Sequence, residues 1–515
     1  MEQLPATSHQ QPARTGLYDP AEEHDACGLA SVVSLTGEAS HRIVELALEA
    51  LENLEHRGAV GSDAGTGDGA GVLCELPDRF LRSTLLERTP EVHLPQAGRY
   101  ATGLIFLPQQ RTERKAVKYR IAAIAAEEGL EVLTWRPVEV RPEVLGDAAR
   151  EAAPRIEQLV LVAAGQGAAV GSASANSSAS SFIQGSAPSR EQLERAAYRT
   201  RKRMQHETGA YAPSLSSHTI VYKGMVTTLQ LSEFYPELLD ERFEARYAIV
   251  HSRYSTNTFP SWHLAQPLRM LAHNGEINTV RGNRNWMRAR EAQLASPALG
   301  DLTQLLPICS EGGSDSASFD EVLELLVLSG RSLPHALAMM VPEAWELEHG
   351  LSPELRDFLE YHSLVMEPWD GPAAMIATDG KELVALLDRN GLRPGRYQIT
   401  ADGLLVIASE TGVLEFAPEQ VVRRGRLQPG RMIAVDLTTG TIREDDEVKG
   451  ELAAAAPWGE WLEAGLIRLA DVPEREHLVH PPASIVRRQR TFGYTEEELR
   501  VLISPMAKDG AEPLA

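Results

Sequence analysis

Apolar positions along the chain fall into two periods, and their succession marks out the elements. The run 28–35 predicts a first strand, and beyond it Ile43, Ala47, Ala50, Leu51 and Leu54 recur at helical spacing while Glu45, Glu49 and Glu52 face away. That spacing predicts an amphipathic helix closing at Gly58, which would stand just past its end at positive φ. Strand-like runs return at 219–222, 247–250, 374–377, 383–387 and 404–408, with helical patterns grouped between them. One helix is predicted over 191–203. Another is expected to begin just after Asp315, because Ser318-Phe319-Asp320-Glu321 has capping-box spacing ahead of the apolar 322–328. Grouped strands and grouped helices favour packed antiparallel sheets with helical layers, an α+β fold, over strict βαβ winding.

The ends and one internal stretch break this pattern. Residues 1–26 are polar, carry three prolines and end in Glu22-Glu23-His24-Asp25, so they read as a leader rather than a folded element. Residues 164–189 are mostly Ala, Gly, Ser and Asn and read as an inserted surface loop. The body is expected to span 27–457. Beyond it, 458–515 is rich in Trp, Arg and Glu without sheet pattern and reads as a connector, with Thr495-Glu496-Glu497-Glu498 capping a last helix.

Composition narrows the partners. Fifty Lys and Arg against 72 Asp and Glu give a net charge of -22 over 515 residues, which argues against attraction to nucleic acid or an anionic membrane and favours a small polar substrate. In so acidic a chain, Arg195, Arg199, Arg201, Lys202 and Arg203 are expected to form a solvated helix face. No apolar run reaches the length of a membrane span and residues 1–26 lack a secretory apolar stretch, so the cytoplasm is the expected compartment. The three cysteines, Cys27, Cys74 and Cys309, make neither a disulfide framework nor a CxxC metal site.

Candidate chemistry begins at Cys27, in Asp25-Ala26-Cys27-Gly28. Cleavage after Ala26 would make Cys27 the first residue, and its α-amine, titrating near pH 7.7–8.0, would then serve as base for its own thiol. A small buried hydrophobe in a first strand is the plainer reading. Arg57, in His56-Arg57-Gly58, would bring a cation that favours the thiolate, binds a carboxylate or holds a nearby loop. The glycine-rich run from Gly61 to Gly71 lacks a Gly-Lys-Ser/Thr ending and G-x-G-x-x-G spacing and carries two aspartates, so it reads as a tight loop near a site, not a phosphate cradle. In His251-Ser252-Arg253-Tyr254-Ser255-Thr256-Asn257, Arg253 offers a carboxylate clamp and Thr256 a further donor. Asn274 and Gly275 offer a side-chain amide beside an unhindered N–H, the donor types of an oxyanion hole, although Asn-Gly also makes hairpin turns. Asp315, in Gly313-Ser314-Asp315-Ser316, places a carboxylate where an α-ammonium could meet it, or else belongs to a helix-capping segment.

Taken together these motifs resemble one family. With Val221-Tyr222-Lys223-Gly224-Met225, Arg281-Gly282-Asn283-Arg284-Asn285-Trp286 and Asp388-Arg389-Asn390-Gly391-Leu392-Arg393-Pro394, they are collinear with the class II glutamine amidotransferase domain of the glutamate synthase large subunit from about residue 20 onward. The resemblance implies a four-layer αββα sandwich, the N-terminal-nucleophile hydrolase fold, and removal of the leader. It implies that Cys27 attacks the side-chain amide of L-glutamine, that Asn274 and Gly275 hold the oxyanion, that Arg253 with Thr256 takes the α-carboxylate, that Asp315 takes the α-ammonium, and that Arg57 orders the site. Family members continue into an ammonia-channelling region, an FMN-binding barrel with an iron–sulfur cluster, and a β-helix. No cofactor is therefore expected in this chain, and a synthase polypeptide or domain is the expected partner. Two other readings stay open: a silent remnant or assembly module that keeps its leader, and a hydrolase of some other amide.

Overall fold

The computed structural model describes residues 27–60, 63, 65–165, 188–254, 259–473 and 480–513. The leader 1–26, most of the insertion 164–189, and Thr256 lie outside them, as do Gly61, Ser62 and Ala64 of the glycine-rich loop. The chain divides into two units, 1–459 and 460–515.

Two antiparallel sheets make the centre of the first unit. One runs β13 (Val421–Arg426), β11 (Arg396–Thr400), β12 (Leu404–Ala408), β1 (Gly28–Ser34), β7 (Tyr247–Ser252), β2 (Ala70–Glu75) and β6 (Thr219–Gly224). The other runs β15 (Ile442–Glu444), β14 (Met432–Asp436), β10 (Glu382–Leu387), β9 (Ala373–Thr378) and β8 (Leu271–Gly275). Successive side chains of a strand point to opposite faces. Leu29, Val33, Leu73, Val221, Tyr247 and Ile249 of the first sheet therefore meet Ala272, Ile376, Leu383, Ala385 and Val435 of the second in one apolar layer. The outer face of the first sheet, through Val32, Val72, Tyr222 and Val250, packs on Val44, Ala47, Leu48 and Leu51 of the His41–Glu52 helix. The outer face of the second, through Leu271, Met375 and Val384, packs on Phe319, Val322 and Leu323 of the Asp315–Leu328 helix and on Leu337, Phe358 and Leu452 of three more. These contacts build the expected αββα sandwich from the residues themselves.

A third antiparallel sheet, β3 (Tyr100–Leu107), β5 (Arg155–Ala163) and β4 (Leu130–Pro137), forms a satellite with the Arg111–Glu127 and Arg190–Thr208 helices. Nothing in the sequence reading anticipated it. Gly103 lets β3 lie close to the 214–215 backbone, where a Cβ would stand 1.8 Å from the Ser214 carbonyl. In the second unit the Thr495 hydroxyl accepts from Glu498 N–H while the Glu498 carboxylate accepts from Thr495 N–H, the capping box read from the sequence.

Three local expectations are corrected. The first helix stops at Glu52, a separate 3₁₀ turn covers Glu55–Arg57, and Gly58 is extended at φ -82°. Its glycine is explained by crowding, since a Cβ would lie 2.9 Å from the Ser252 hydroxyl. The helix expected just after Asp315 includes Asp315 and is capped by Ser314, whose hydroxyl accepts from Ala317 N–H, and Ser318 lies inside it. The helix predicted over 191–203 is Arg190–Thr208, and its basic residues are not a solvated face. Arg201 and Lys202 are 0% and 1% exposed: Arg201 pairs with Glu324, Lys202 Nζ donates to Glu321 at 3.0 Å and to the Ile308 carbonyl at 2.7 Å, and Arg269 joins Asp320, Glu321 and Glu324. The acidic partners lie on the 315–328 helix, so a helical period that looks polar from one helix alone is an ionic seam between two.

Breaking a buried pair leaves a charge without compensation and costs about 3–5 kcal/mol. Lys202→Ala is expected to lower stability by about that amount in urea denaturation at neutral pH. Burial alone would raise the Glu321 carboxyl, but Lys202, Arg269 and the Ser310 donors outweigh it and hold it at about 2. A carboxylate held low contributes stability that is complete above its ordinary value of about 4.3 and is lost as pH falls through the depressed value. The native protein is therefore expected to weaken over that acid window, and Lys202→Ala to weaken less steeply; equal slopes would remove Lys202 from the seam.

Candidate active site

Cys27 stands directly before β1, and β1 pairs with β7 so that Gly28 faces Ser252. The chain leaving β7 therefore passes the thiol. Cys27 Sγ accepts from Tyr254 N–H at 3.3 Å and donates to the Tyr254 carbonyl at 3.4 Å. Arg253, 6% exposed, is fixed between them by its N–H to the Gly69 carbonyl at 2.8 Å, and its guanidinium donates to the Asp68 carbonyl at 3.5 Å. The glycine-rich loop thus supports Arg253 through Asp68 and Gly69.

The second sheet supplies the opposite side. Asn274 and Gly275 end β8 in register with Ala374 and Ala373, so this Asn-Gly is strand and not a hairpin turn. Gly275 sits at φ 146°, and a Cβ there would lie 1.8 Å from the Pro372 carbonyl, so only glycine fits. The Asn274 side chain is 2% exposed, and its carboxamide makes no hydrogen bond among the described residues. Asp315, first residue of its helix, accepts from Ile277 N–H at 2.8 Å and so ties the helix to the segment after β8. Arg284 holds the loop before it, donating to the Gly313 and Ser314 carbonyls at 2.7 and 2.9 Å and to the Ser318 hydroxyl at 2.8 Å.

Cys27, Arg253, Gly275 and Asp315 line one cavity of about 380 Å³. Asn274 lies beside it in the same strand as Gly275. Arg57 is not among the lining residues: its Nε donates to Glu410 at 2.6 Å, and a Cβ on Gly28 would meet the Arg57 Cβ at 3.1 Å, so Arg57 backs the start of β1. Thr256 falls outside the described residues.

Burial pushes the Cys27 thiol up, and Asp315 adds to the push, while the Tyr254 backbone, Arg253 and Arg393 act against it. The side chains that pull the thiol down are thus Arg253 and Arg393. Arg393 was in view only as part of a shared run, with no role attached; its guanidinium makes no hydrogen bond or ion pair among the described residues, and the turn that carries it is held by Asp388, which accepts from Ala373, Asn390 and Leu392 N–H groups. Sequence reasoning also passed over a buried relay behind β8. His273 N–H donates to Gln266 at 2.8 Å, and the His273 ring and the Ser316 hydroxyl share a hydrogen bond of 2.8 Å. Burial lowers the His273 imidazole, leaving it neutral. Polar residues of this kind carry no spacing that separates them from ordinary strand and loop residues. Among the described residues, no group of three or more His, Cys, Asp or Glu side chains could hold a metal ion, and no helix is long and apolar enough to cross a membrane.

Removing a cation beside a thiol raises its pKa. Arg393→Ala is accordingly expected to slow iodoacetamide alkylation of Cys27 at neutral pH by about 2- to 10-fold and to move its pH profile upward. An unchanged profile would exclude Arg393 from the thiol's surroundings.

The family model described as "Glutamine amidotransferases class-II" matches residues 27–461. The chain is 43% identical over 517 residues to the glutamate synthase [NADPH] large chain of Bacillus subtilis, covering 99% of this chain and 32% of the relative. It is 40% identical over 517 residues to the corresponding large chain of Azospirillum brasilense, covering 96% and 32%, and 40% identical over 499 residues to ferredoxin-dependent glutamate synthase 2 of Synechocystis sp., covering 96% and 31%. The chain thus spans about a third of the length of these relatives.

Proposed function

The chain belongs to the class II glutamine amidotransferases, and from that membership we propose that it is the glutamine-hydrolysing half of a glutamate synthase. The observation that carries the proposal is the single cavity in which the Cys27 thiol, the Arg253 guanidinium, the Gly275 backbone and the Asp315 carboxylate converge. A thiol between a cation and an anion suits a substrate that is both carboxylate and ammonium, which favours an α-amino acid over other amides.

In the proposed reaction L-glutamine lies with its α-carboxylate on Arg253, helped by Thr256, and its α-ammonium on Asp315. Cys27 Sγ attacks the side-chain carbonyl carbon. The thiol proton passes to the Cys27 α-amine, freed by cleavage after Ala26, and from there to the departing ammonia. The Asn274 amide and Gly275 N–H stabilise the oxyanion, Arg57 steadies the start of β1, and water then releases L-glutamate from the thioester. Ammonia passes to a synthase region that makes glutamate from 2-oxoglutarate, and FMN and the iron–sulfur cluster belong to that region. We place the reaction in the cytoplasm.

The raised Cys27 thiol supports a second state of the same chain. With the leader attached, the Cys27 nitrogen is an amide, the thiol has no amine base, and the protein is silent. Intact mass sorts the two. Protein that has lost residues 1–26 is expected to release ammonia from glutamine, with no release from Cys27→Ala, and protein that retains them to release none. Loss of the Asp315 charge-assisted contact should raise KM for glutamine by about 10- to 100-fold in Asp315→Ala, the equivalent of about 1.5–3 kcal/mol. Ammonia release by Cys27→Ala equal to the native rate would falsify the assignment.

A further inference from the structure

A second cavity, of about 470 Å³, lies at the opposite ends of two of the elements that build the candidate active site. β8 runs from Met270 at this cavity towards Gly275 at the thiol, and the 315–328 helix runs from Asp315 at the thiol to Leu328 here. The volume falls within the range of small-molecule sites, about 300–1,000 Å³. Leu215, Met270, Val327 and Leu328 give it an apolar wall.

Its acidic side chains are engaged within the protein. Glu191 pairs with Lys381 at 2.8 Å, Glu194 accepts from the Ser217 N–H and hydroxyl, Glu324 pairs with Arg201, and Glu382 pairs with Arg443. Asp379 accepts from the Lys381 and Glu382 N–H groups. Arg269 and Lys381 are likewise paired, but among the described residues Arg331 and Arg195 are not. Helix 315–328 ends with Gly330 at φ 113°, Gly330 N–H on the Val327 carbonyl and Arg331 N–H on the Leu326 carbonyl, a Schellman turn that delivers Arg331 to the cavity wall. The Arg331 guanidinium makes no hydrogen bond and no ion pair among the described residues. Arg195 donates only through Nε, to the Leu328 carbonyl at 3.0 Å, so its two terminal nitrogens have no partner there. His218, 6% exposed, lines the same space with neither ring nitrogen bonded among the described residues. Burial, with Arg190 nearby, pushes the His218 imidazole down to about 3, so its ring offers one N–H as a neutral group.

Donors without acceptors beside an apolar wall describe the complement of an organic anion. We propose that this cavity binds a small organic anion, a carboxylate or phosphate ester on an apolar body, with its charged group held by Arg195 and Arg331 and by His218 as a third donor. Guanidinium groups suit both acids because each presents two parallel N–H groups to two oxygens. The competing structural role is neutralisation of the helix end, where cations offset the negative pole of the dipole. That role needs no ligand.

Calorimetric titration of the whole chain with glutarate, adenosine 5′-monophosphate and inorganic phosphate separates these roles. Glutarate or the nucleotide is expected to bind at least about 10-fold more tightly than inorganic phosphate, and which of the two binds identifies the acid. Arg331→Gln should weaken that binding by about 10- to 100-fold and Arg331→Lys by less, as loss of a charged hydrogen bond requires. Val327→Phe, which fills the cavity and keeps both arginines, should abolish it, while Arg253→Ala in the active site should leave it intact. The proposal is overturned if none of the three binds, if all three bind alike, if Arg331→Gln and Val327→Phe bind as the native chain does, or if binding is lost with Arg253→Ala. A lower melting temperature in Arg331→Gln with no ligand bound by the native chain would assign the arginines to helix capping alone.

Discussion

Among the described residues, a buried hydrogen bond joins a strand of the first sheet to a strand of the second where the candidate chemistry lies. His251, on β7 of the first sheet, directs Nε2 to the carbonyl of His273, on β8 of the second, at 3.0 Å. A carbonyl only accepts, so Nε2 carries the proton and Nδ1, which is buried without a partner, does not. Burial drives this imidazole down to about 3, so the bond persists as a neutral one through the physiological range. Apolar side chains hold the sheets together elsewhere, but they are not directional. The histidine sets the register between the strand end that presents Arg253 and the strand end that presents Asn274 and Gly275.

Behind that junction the fold places its cost in charge. Six ionic side chains, Arg201, Lys202, Arg269, Asp320, Glu321 and Glu324, are buried between two helices and the chain entering β8. Such groups stabilise only if fully paired, so the seam rewards one alignment of the helices and penalises its neighbours. The helix so aligned carries Asp315 at one end and the Schellman turn with Arg331 at the other. The position of Asp315 and the shape of the remote cavity therefore rest on the same set of ion pairs.

Much of this arrangement was legible in the sequence, and the parts that were not share a cause. Strands announced by near-continuous apolar runs, such as 247–250 and 383–387, lie within β7 and β10, because burial on both faces leaves a local mark. Cys27, Arg253, Gly275, Arg284 and Asp315, from five of the motifs that carry the family resemblance, line one cavity. What failed depends on contacts across the chain. Arg201 and Lys202 look solvated until the 315–328 helix is laid against them, and Gly58 looks like a helix terminus until Ser252 is seen beside it. Arg393 is the converse: an arginine in a turn with no local distinction, placed near Cys27 only by the fold.

The electrostatics of the thiol bear on how it is activated. Three charged side chains act on Cys27, with Arg253 and Arg393 favouring the thiolate and Asp315 opposing it, and burial outweighs them. On the proposed chemistry, glutamine neutralises two of the three at once: its carboxylate takes the Arg253 charge and its ammonium takes the Asp315 charge. Substrate thus removes one influence of each sign and leaves Arg393 as the charge still directed at sulfur. It also displaces water from the cavity, which disfavours a free thiolate further. A preformed thiolate is therefore not what the bound site stabilises. The proton has to leave sulfur as the carbon–sulfur bond forms, to a base within reach, and an α-amine on the same residue meets that requirement by covalent attachment. On the proposed chemistry, the burial that raises the Cys27 thiol is what makes a free nitrogen on the same residue decisive.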